Sequence, residues 1–429
     1  MKHVTRNILK TGIIVFTLWK TVDIFVSIVV GSFIPYLGFF PYKEILLDYK
    51  LPQFLYSFAN FDGAHYLIIA SKGYFTYTQA FFPLYPILIK LLTFVTHNGL
   101  LSGLLISNIC FLLGILIFYK YISLLVTKQV SEWKPACRQA GDPDSAPSQT
   151  RLHRSGDIRR QSSTGGRETL TESASIGNKP MCVIIFLLLF PTSFFFGAVY
   201  TEGLFFFLFI GTLYFIKKEN YLLASIFGFL TALTKLTGLF LIIPILFSLI
   251  KKNNNQIMKP IQLTTILSPL LGFLLYAFYL WKTTGDPLFF FHSQPAFGAN
   301  RSTSFIFLPQ VYYRYFNILF TANHDYQYFI ALLEMSIFTL VLGVLVLDLK
   351  KNWKNYERLG LNLFSLASLV LPTLTGTFSS VPRYALLSIS FFLFLGEMKN
   401  KYVQIFIGLV FFLLHIFLLC FFIQGYFVG

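Results

Sequence analysis

Charge is what this chain has least of. Only 12% of its 429 residues are Asp, Glu, Lys or Arg, where a soluble domain carries about 25%. With 55% apolar residues and a mean hydropathy of +0.66, no water-soluble fold hides this much apolar surface, so lipid must solvate much of the chain. Cysteine is sparse too. Cys110, Cys137, Cys182 and Cys420 show no metal-ligand spacing, and two of them lie inside apolar runs as small hydrophobes. No Gly-rich phosphate loop follows a strand, and no His/Glu metal signature appears. No nucleic-acid-binding module accompanies the formal net charge of +16. Nor does a small-residue cleavage site follow the first apolar run, which comes after Lys2, Arg6 and Lys10 and reads as a retained signal anchor.

What the chain has in abundance is apolar runs. Stretches long enough to span occur at about 11–34, 99–126, 260–281, 327–348 and 402–424. Shorter or broken ones occur at about 80–97, 181–198, 200–216, 221–234, 236–250, 359–378 and 384–397. They predict an all-α polytopic membrane protein with about ten to twelve transmembrane helices, the short pieces packing against protein where a cavity is lined. Lysine sets orient it: Lys217-Lys218, Lys251-Lys252, Lys350-Lys351 with Lys354, and Lys399 with Lys401 alternate with loops carrying Glu202, Lys235, Asp286 and Arg383. With a cytoplasmic N-terminus the lysine sets fall inside and the others outside. The run at 80–97, broken by Pro83 and Pro86, reads as interfacial or re-entrant, since the alternation needs an odd number of crossings there.

Two regions interrupt the pattern. Residues 35–80 form a long first external loop that mixes aromatics with Asp48, Asp62 and Lys72. Residues 131–180 are rich in Ser, Gly, Arg and Thr, bury too little to offset ordering entropy, and read as a disordered, cytoplasmic insertion. The chain thus divides into 1–130, the insertion 131–180, and 181–429 with a second external loop at 283–325.

A few polar residues stand out against this background. Asp62-Gly63 opens a short helix that Gly73 closes, and Asp62, His65 and Tyr66 share one face at i, i+3 and i+4. Two readings of Asp62 stand: an N-cap, or a general base flanked by sugar-hydroxyl ligands. Glu202 brings a carboxylate between two apolar runs, which is costly enough to suggest function, although a helix cap is the competing reading. Lys235 either snorkels to an interface or holds a phosphate. Arg383 follows Pro382 at a helix start, where a cation opposes the helix dipole and the positive-inside trend; a phosphate site explains it better. Asp286 and His292 fall in the turn-like external string GDPLFFFHSQPAFG, and Asn300-Arg301-Ser302 fits a glycosylation sequon. The aromatics (52 Phe, 24 Tyr, 4 Trp) read mainly as lipid-facing packing.

Taken in order, FDGAHYLIIASKGY with AFFPLYP, then PTSFFFGAVYTEGLFF, LTALTKLTGLFLIIP, the GDPLFFFHSQ loop and SSVPRYALL resemble the PIG-V-like mannosyltransferases. These include the second mannosyltransferase of GPI-anchor assembly and its prokaryotic relatives, and belong to the GT-C glycosyltransferases. The resemblance runs from about residue 10 to the C-terminus, omitting 131–180. It implies a GT-C-like fold, a catalytic Asp in the first external loop and a lipid-phosphate-linked mannose donor. Asp62 then matches the family's acid, Glu202 the acid of the YTEGLF-like motif, and Arg383-Tyr384 the RY pair. Lys235 stands where relatives often carry Arg, keeping charge but losing the planar fork. Phe61 replaces a frequent Trp.

The expectation is therefore an inverting transfer of mannose from a polyprenyl- or dolichyl-phosphate carrier to a lipid-linked or glycolipid acceptor at the external or lumenal face. Asp62 acts as base, Arg383 and Lys235 face the phosphate, Glu202 supports the site, and His65, Tyr66, Tyr384, Asp286 and His292 contact substrate. No cofactor or metal is expected, because phosphate already leaves well. The host membrane is the plasma membrane of a prokaryote or the endoplasmic reticulum of a eukaryote. Two other classes compete: a transporter or lipid flippase using the same charges, and a non-catalytic subunit of a glycan assembly complex.

Overall fold

The structure, a computed structural model, describes residues 2–37, 42–139, 179–253, 257–297 and 301–428. Its regular structure is helical, with no strand among the described residues. Among the described residues, six helices are long and apolar enough to cross a membrane: Lys10–Ser32, Gly99–Leu125, Pro260–Thr284, Tyr326–Asn352, Tyr356–Thr375 and Lys401–Ile423. The protein is an all-α, multi-pass membrane protein. At 1.5 Å per residue even the shortest reaches about 30 Å, the depth of a bilayer core.

The remaining apolar runs of the described residues form shorter or broken helices. Leu84–Thr96 (α1), Lys179–Leu189 (α2) and Tyr221–Thr234 (α3) are shorter apolar helices. Glu202–Lys217 (α4) and Ile242–Asn253 (α5) are likewise short, and Ile389–Gly396 is shorter still. Turns of 3-10 helix at Ser193–Gly197, Leu236–Leu241 and Ala385–Leu387 interrupt the chain between them. Residues at or beside these breaks, Phe195, Lys235 with Leu236, and Arg383 with Tyr384, line one cavity, and irregular backbone is tolerated at membrane depth where it lines one. Run 80–97 is the 13-residue α1, about 20 Å long and too short to span.

Helix starts follow local chemistry. The side chains of Asn220, Asp325, Asn355 and Asn400 accept hydrogen bonds from backbone N–H groups two or three residues on, satisfying donors that lipid would leave bare. The helix Gly99–Gln139 (α6) runs past residue 131; residues 140–178 of the expected insertion, and Asn300 of the sequon, lie outside the described residues. Core packing runs α6 on α4, α4 on α3, and α3 on Pro260–Thr284.

The two ends of the bundle differ as the lysine alternation predicts. At one end Lys217 and Lys251 both reach Glu357, and Lys252 meets Glu219. There Arg358 grips Asp348 with Nε and Nη2, both at 2.9 Å, and Asn362 donates to the same carboxylate at 2.8 Å. Glu202, Lys235 and Arg383 gather elsewhere, around a cavity.

Candidate functional site

The cavity encloses about 560 Å³. Asp62, His65 and Tyr66 enter it from the helix Asp62–Lys72, Lys235 from the end of α3, and Arg383 and Tyr384 from the four-residue turn of helix Val381–Tyr384. Aromatic walls include Phe81, Phe195, Tyr200 and Phe297.

Asp62 does not cap its helix. The N-cap position is Phe61, whose φ of +58° puts a bulky residue in sparsely populated backbone space. Strain of this kind costs about 1–3 kcal/mol and persists only where the surroundings impose it. Here the Phe61 ring packs beside Phe422 and Phe427. The twist leaves the Asp62 carboxylate to accept a hydrogen bond from Arg383 Nη1 at 2.6 Å, across 321 residues of sequence. Gly73 closes the helix at φ +84°, as expected.

From Arg383 the charges continue inward. Its Nε lies 3.3 Å from Glu202 Oε1, close enough for ion pairing though poorly aligned for a hydrogen bond. Lys235 Nζ donates to the same oxygen at 3.0 Å. The result is an alternating row: Asp62, Arg383, Glu202, Lys235. Exposure falls along it from 29% at the Asp62 side chain to 1% at Glu202, so the inner carboxylate depends chiefly on its two cations, with the Thr201 hydroxyl donating to Oε2 at 3.5 Å. Gly203 makes that depth possible: a Cβ there would lie 2.5 Å from Phe196 O and 2.6 Å from Ser107 O. Tyr384 is drawn in as well, with its ring 4.1 Å from Lys235 Nζ, and Arg383 lies over Tyr200.

The electrostatics follow from these neighbours. Burial pushes the Asp62 carboxyl up, but the Arg383 charge and hydrogen bond, with help from His65 and Arg301, outweigh it and hold the group below the ordinary carboxylate value. Burial lowers His65 against the pull of Asp62, so the imidazole is neutral at pH 7. His65 stacks on Phe81, and its Nδ1 is buried without a partner among the described residues. Burial raises Tyr66 well above the usual phenol range, leaving it a neutral donor.

No family model matches this chain, and no curated protein is detectably similar to it.

Six of the candidate residues, Asp62, His65, Tyr66, Lys235, Arg383 and Tyr384, therefore line one cavity, with Glu202 directly behind. Asp286 and His292 do not join them. His292 Nδ1 sits 2.5 Å from Asp286 Oδ2, and Asp286 Oδ1 accepts from Leu288 N–H, so the pair closes its own exposed turn. Phe290, Phe291 and Gln294 of that loop face the cavity instead. Arg383 also differs from expectation. It sits in a single turn with two carboxylates around it, and not at the N-terminus of a long helix. Sequence reasoning missed Arg301, Ser379 and Ser380, all cavity-lining. The orientation rule that singled out Arg383 applies equally to Arg301, a lone cation on the same side. Among the described residues, no group of three or more His, Cys, Asp or Glu is placed to hold a metal ion.

Proposed function

We propose that this protein is a GT-C-like membrane glycosyltransferase that moves mannose from a polyprenyl- or dolichyl-phosphate carrier to a hydroxyl of a lipid-linked or glycolipid acceptor at the external or lumenal face. One observation carries the reading. Asp62, Glu202, Lys235 and Arg383, the charged residues of four separate PIG-V-like motifs, converge on one aromatic-walled cavity.

In this reading the Asp62 carboxylate accepts the acceptor's hydroxyl proton as that oxygen attacks the anomeric carbon. The new C–O bond forms on the face opposite the phosphate, the C–O bond to phosphate breaks, and its electron pair leaves on the phosphate. The sugar is inverted once. Arg383 keeps Asp62 ionised and aimed, Glu202 anchors Arg383 and Lys235 from behind, and the aromatic walls exclude water from the reacting carbon. His65 and Tyr66 supply neutral hydrogen-bonding groups to the sugars.

The test is incubation of purified protein with polyprenyl-phosphate mannose and membrane lipids, with products read by mass spectrometry. Asp62→Asn removes the base but retains the shape, and lowers transfer by about 10²–10⁴-fold. Full transfer by Asp62→Asn sinks the assignment. Intact glycan assembly after Asp62→Ala, with loss only on deleting the chain, would favour a non-catalytic subunit.

A further inference from the structure

Of the three cations lining the cavity, two are already matched. Arg383 faces Asp62 and Glu202, and Lys235 faces Glu202. The third, Arg301, is held by neutral atoms: Nη1 donates to Gln294 Oε1 at 3.0 Å and Nη2 to Ser380 Oγ at 3.3 Å. No carboxylate among the described residues pairs with it. Glu334, the buried acid behind this wall, does not line the cavity and takes hydrogen bonds from Tyr315 and the Ser380 backbone. Asp62 and Glu334 feel the Arg301 charge only at longer range, so among the described residues Arg301 is the lining cation with no carboxylate in contact.

The wall around Arg301 is prepared for a polar ligand. Ser379 lines the cavity at 6% exposure, and its hydroxyl has no partner among the described residues. Ser380 is held at φ +68°, left-handed space that disfavours a non-glycine residue, and this twisted backbone carries the hydroxyl that fixes Arg301. A guanidinium has five N–H donors in a rigid fork, and two atoms of this one are engaged on the protein side.

We propose that Arg301 and Ser379 form the phosphate subsite of the cavity, the role that sequence reasoning gives to Arg383. The ligand group is a phosphate ester, whose oxygens meet the guanidinium fork and the free Ser379 hydroxyl. Taking that phosphate to belong to a lipid-linked sugar donor rests on the glycosyltransferase reading; the subsite itself rests on the guanidinium without a carboxylate in contact and on the unpartnered hydroxyl.

The full chain in phosphatidylcholine nanodiscs is titrated with polyprenyl phosphate, neutral polyprenol and mannose 1-phosphate. Losing a charge-assisted contact weakens polyprenyl phosphate binding by about tenfold or more in Arg301→Ala. Arg301→Lys recovers part of it, Ser379→Ala loses severalfold, and polyprenol binding is unchanged throughout. Melting temperatures certify that each variant is folded. Wild-type affinity for polyprenyl phosphate in Arg301→Ala overturns the proposal, as does a wild type that binds neither phosphate. Binding of mannose 1-phosphate alone, lost in Arg301→Ala, supports the subsite and removes the lipid-borne source. Transfer is read separately. Arg301-dependent phosphate binding without sugar transfer sinks the transferase reading and leaves the subsite. Transfer with unaltered donor dependence in Arg301→Ala does the reverse.

Discussion

Glu202 has 1% of its side chain exposed and two cations, so its stability depends on how many of them remain. Arg383→Met removes one and leaves Lys235 at 3.0 Å. The stranded partner is then Asp62, which water reaches at 29% exposure. Removing one member of a buried pair costs about 3–5 kcal/mol, and this case falls at or below the low end of that range. Lys235→Met is milder still, because Arg383 stays beside Glu202. The double variant is different in kind: Glu202 becomes a carboxylate sealed from water with no cation beside it, left with the Thr201 hydroxyl at 3.5 Å. Its destabilisation exceeds the sum of the single losses by about 2–3 kcal/mol, at the upper end of coupling within one ionic network. Adding Glu202→Gln removes the bare charge and returns most of that excess. The assay is denaturant and thermal unfolding of all variants in one detergent, with the coupling taken from the cycle. Additive losses, or a triple variant no more stable than the double, refute the reasoning that the inner carboxylate hangs on both cations.

Other outcomes follow from the same geometry. His65 is held below its ordinary value of 6.5, so above that pH it favours the fold; as pH falls below 6.5 the unfolded chain takes up a proton that the fold resists. Stability therefore drops on the acid side of 6.5, and His65→Gln flattens that slope in a pH series of melting temperatures. Asp62 has the carboxylate sign: its contribution is present above 3.8 and lost only as pH falls below it. Asp286→Asn and His292→Ala leave transfer and melting temperature near wild type, because the pair is well exposed and does not line the site cavity; a large loss of transfer in a rate assay contradicts this. Arg358→Met leaves Asp348, which is fully buried, with only Asn352 and Asn362 as donors. Unfolding should register a loss of about 3–5 kcal/mol.

The long spans were legible because a helix in lipid satisfies its own backbone, so apolarity and length decide them. The caps at Asn220, Asn355 and Asn400 emerge only from the structure, where a side-chain oxygen meets bare N–H groups. Legible too was the oddity of Asp62, Glu202, Lys235 and Arg383, since each charge stands alone in apolar surroundings. Their pairing was not. Nothing local to Glu202 says that one oxygen serves both Lys235 and Arg383. Asp62 looked like a cap because Asp-Gly before a helix usually is one; the positive φ of Phe61 is set by packing against residues more than 350 positions away. Asp286 and His292 carried the right chemistry but satisfy each other. Arg301 was hidden by a sequon, a pattern frequent by chance.

The bond between Asp62 and Arg383 also has a place in time. Their 321-residue separation, at about 5–20 residues per second of synthesis, puts about 16–64 s between the emergence of the two side chains. Through that interval the first loop carries a carboxylate without its cation, and Glu202, once made, waits for Arg383 with at most Lys235 beside it. The cavity is thus among the last parts of the molecule to form. A nascent or truncated chain ending before residue 383 presents membrane helices and the acid, but no assembled site.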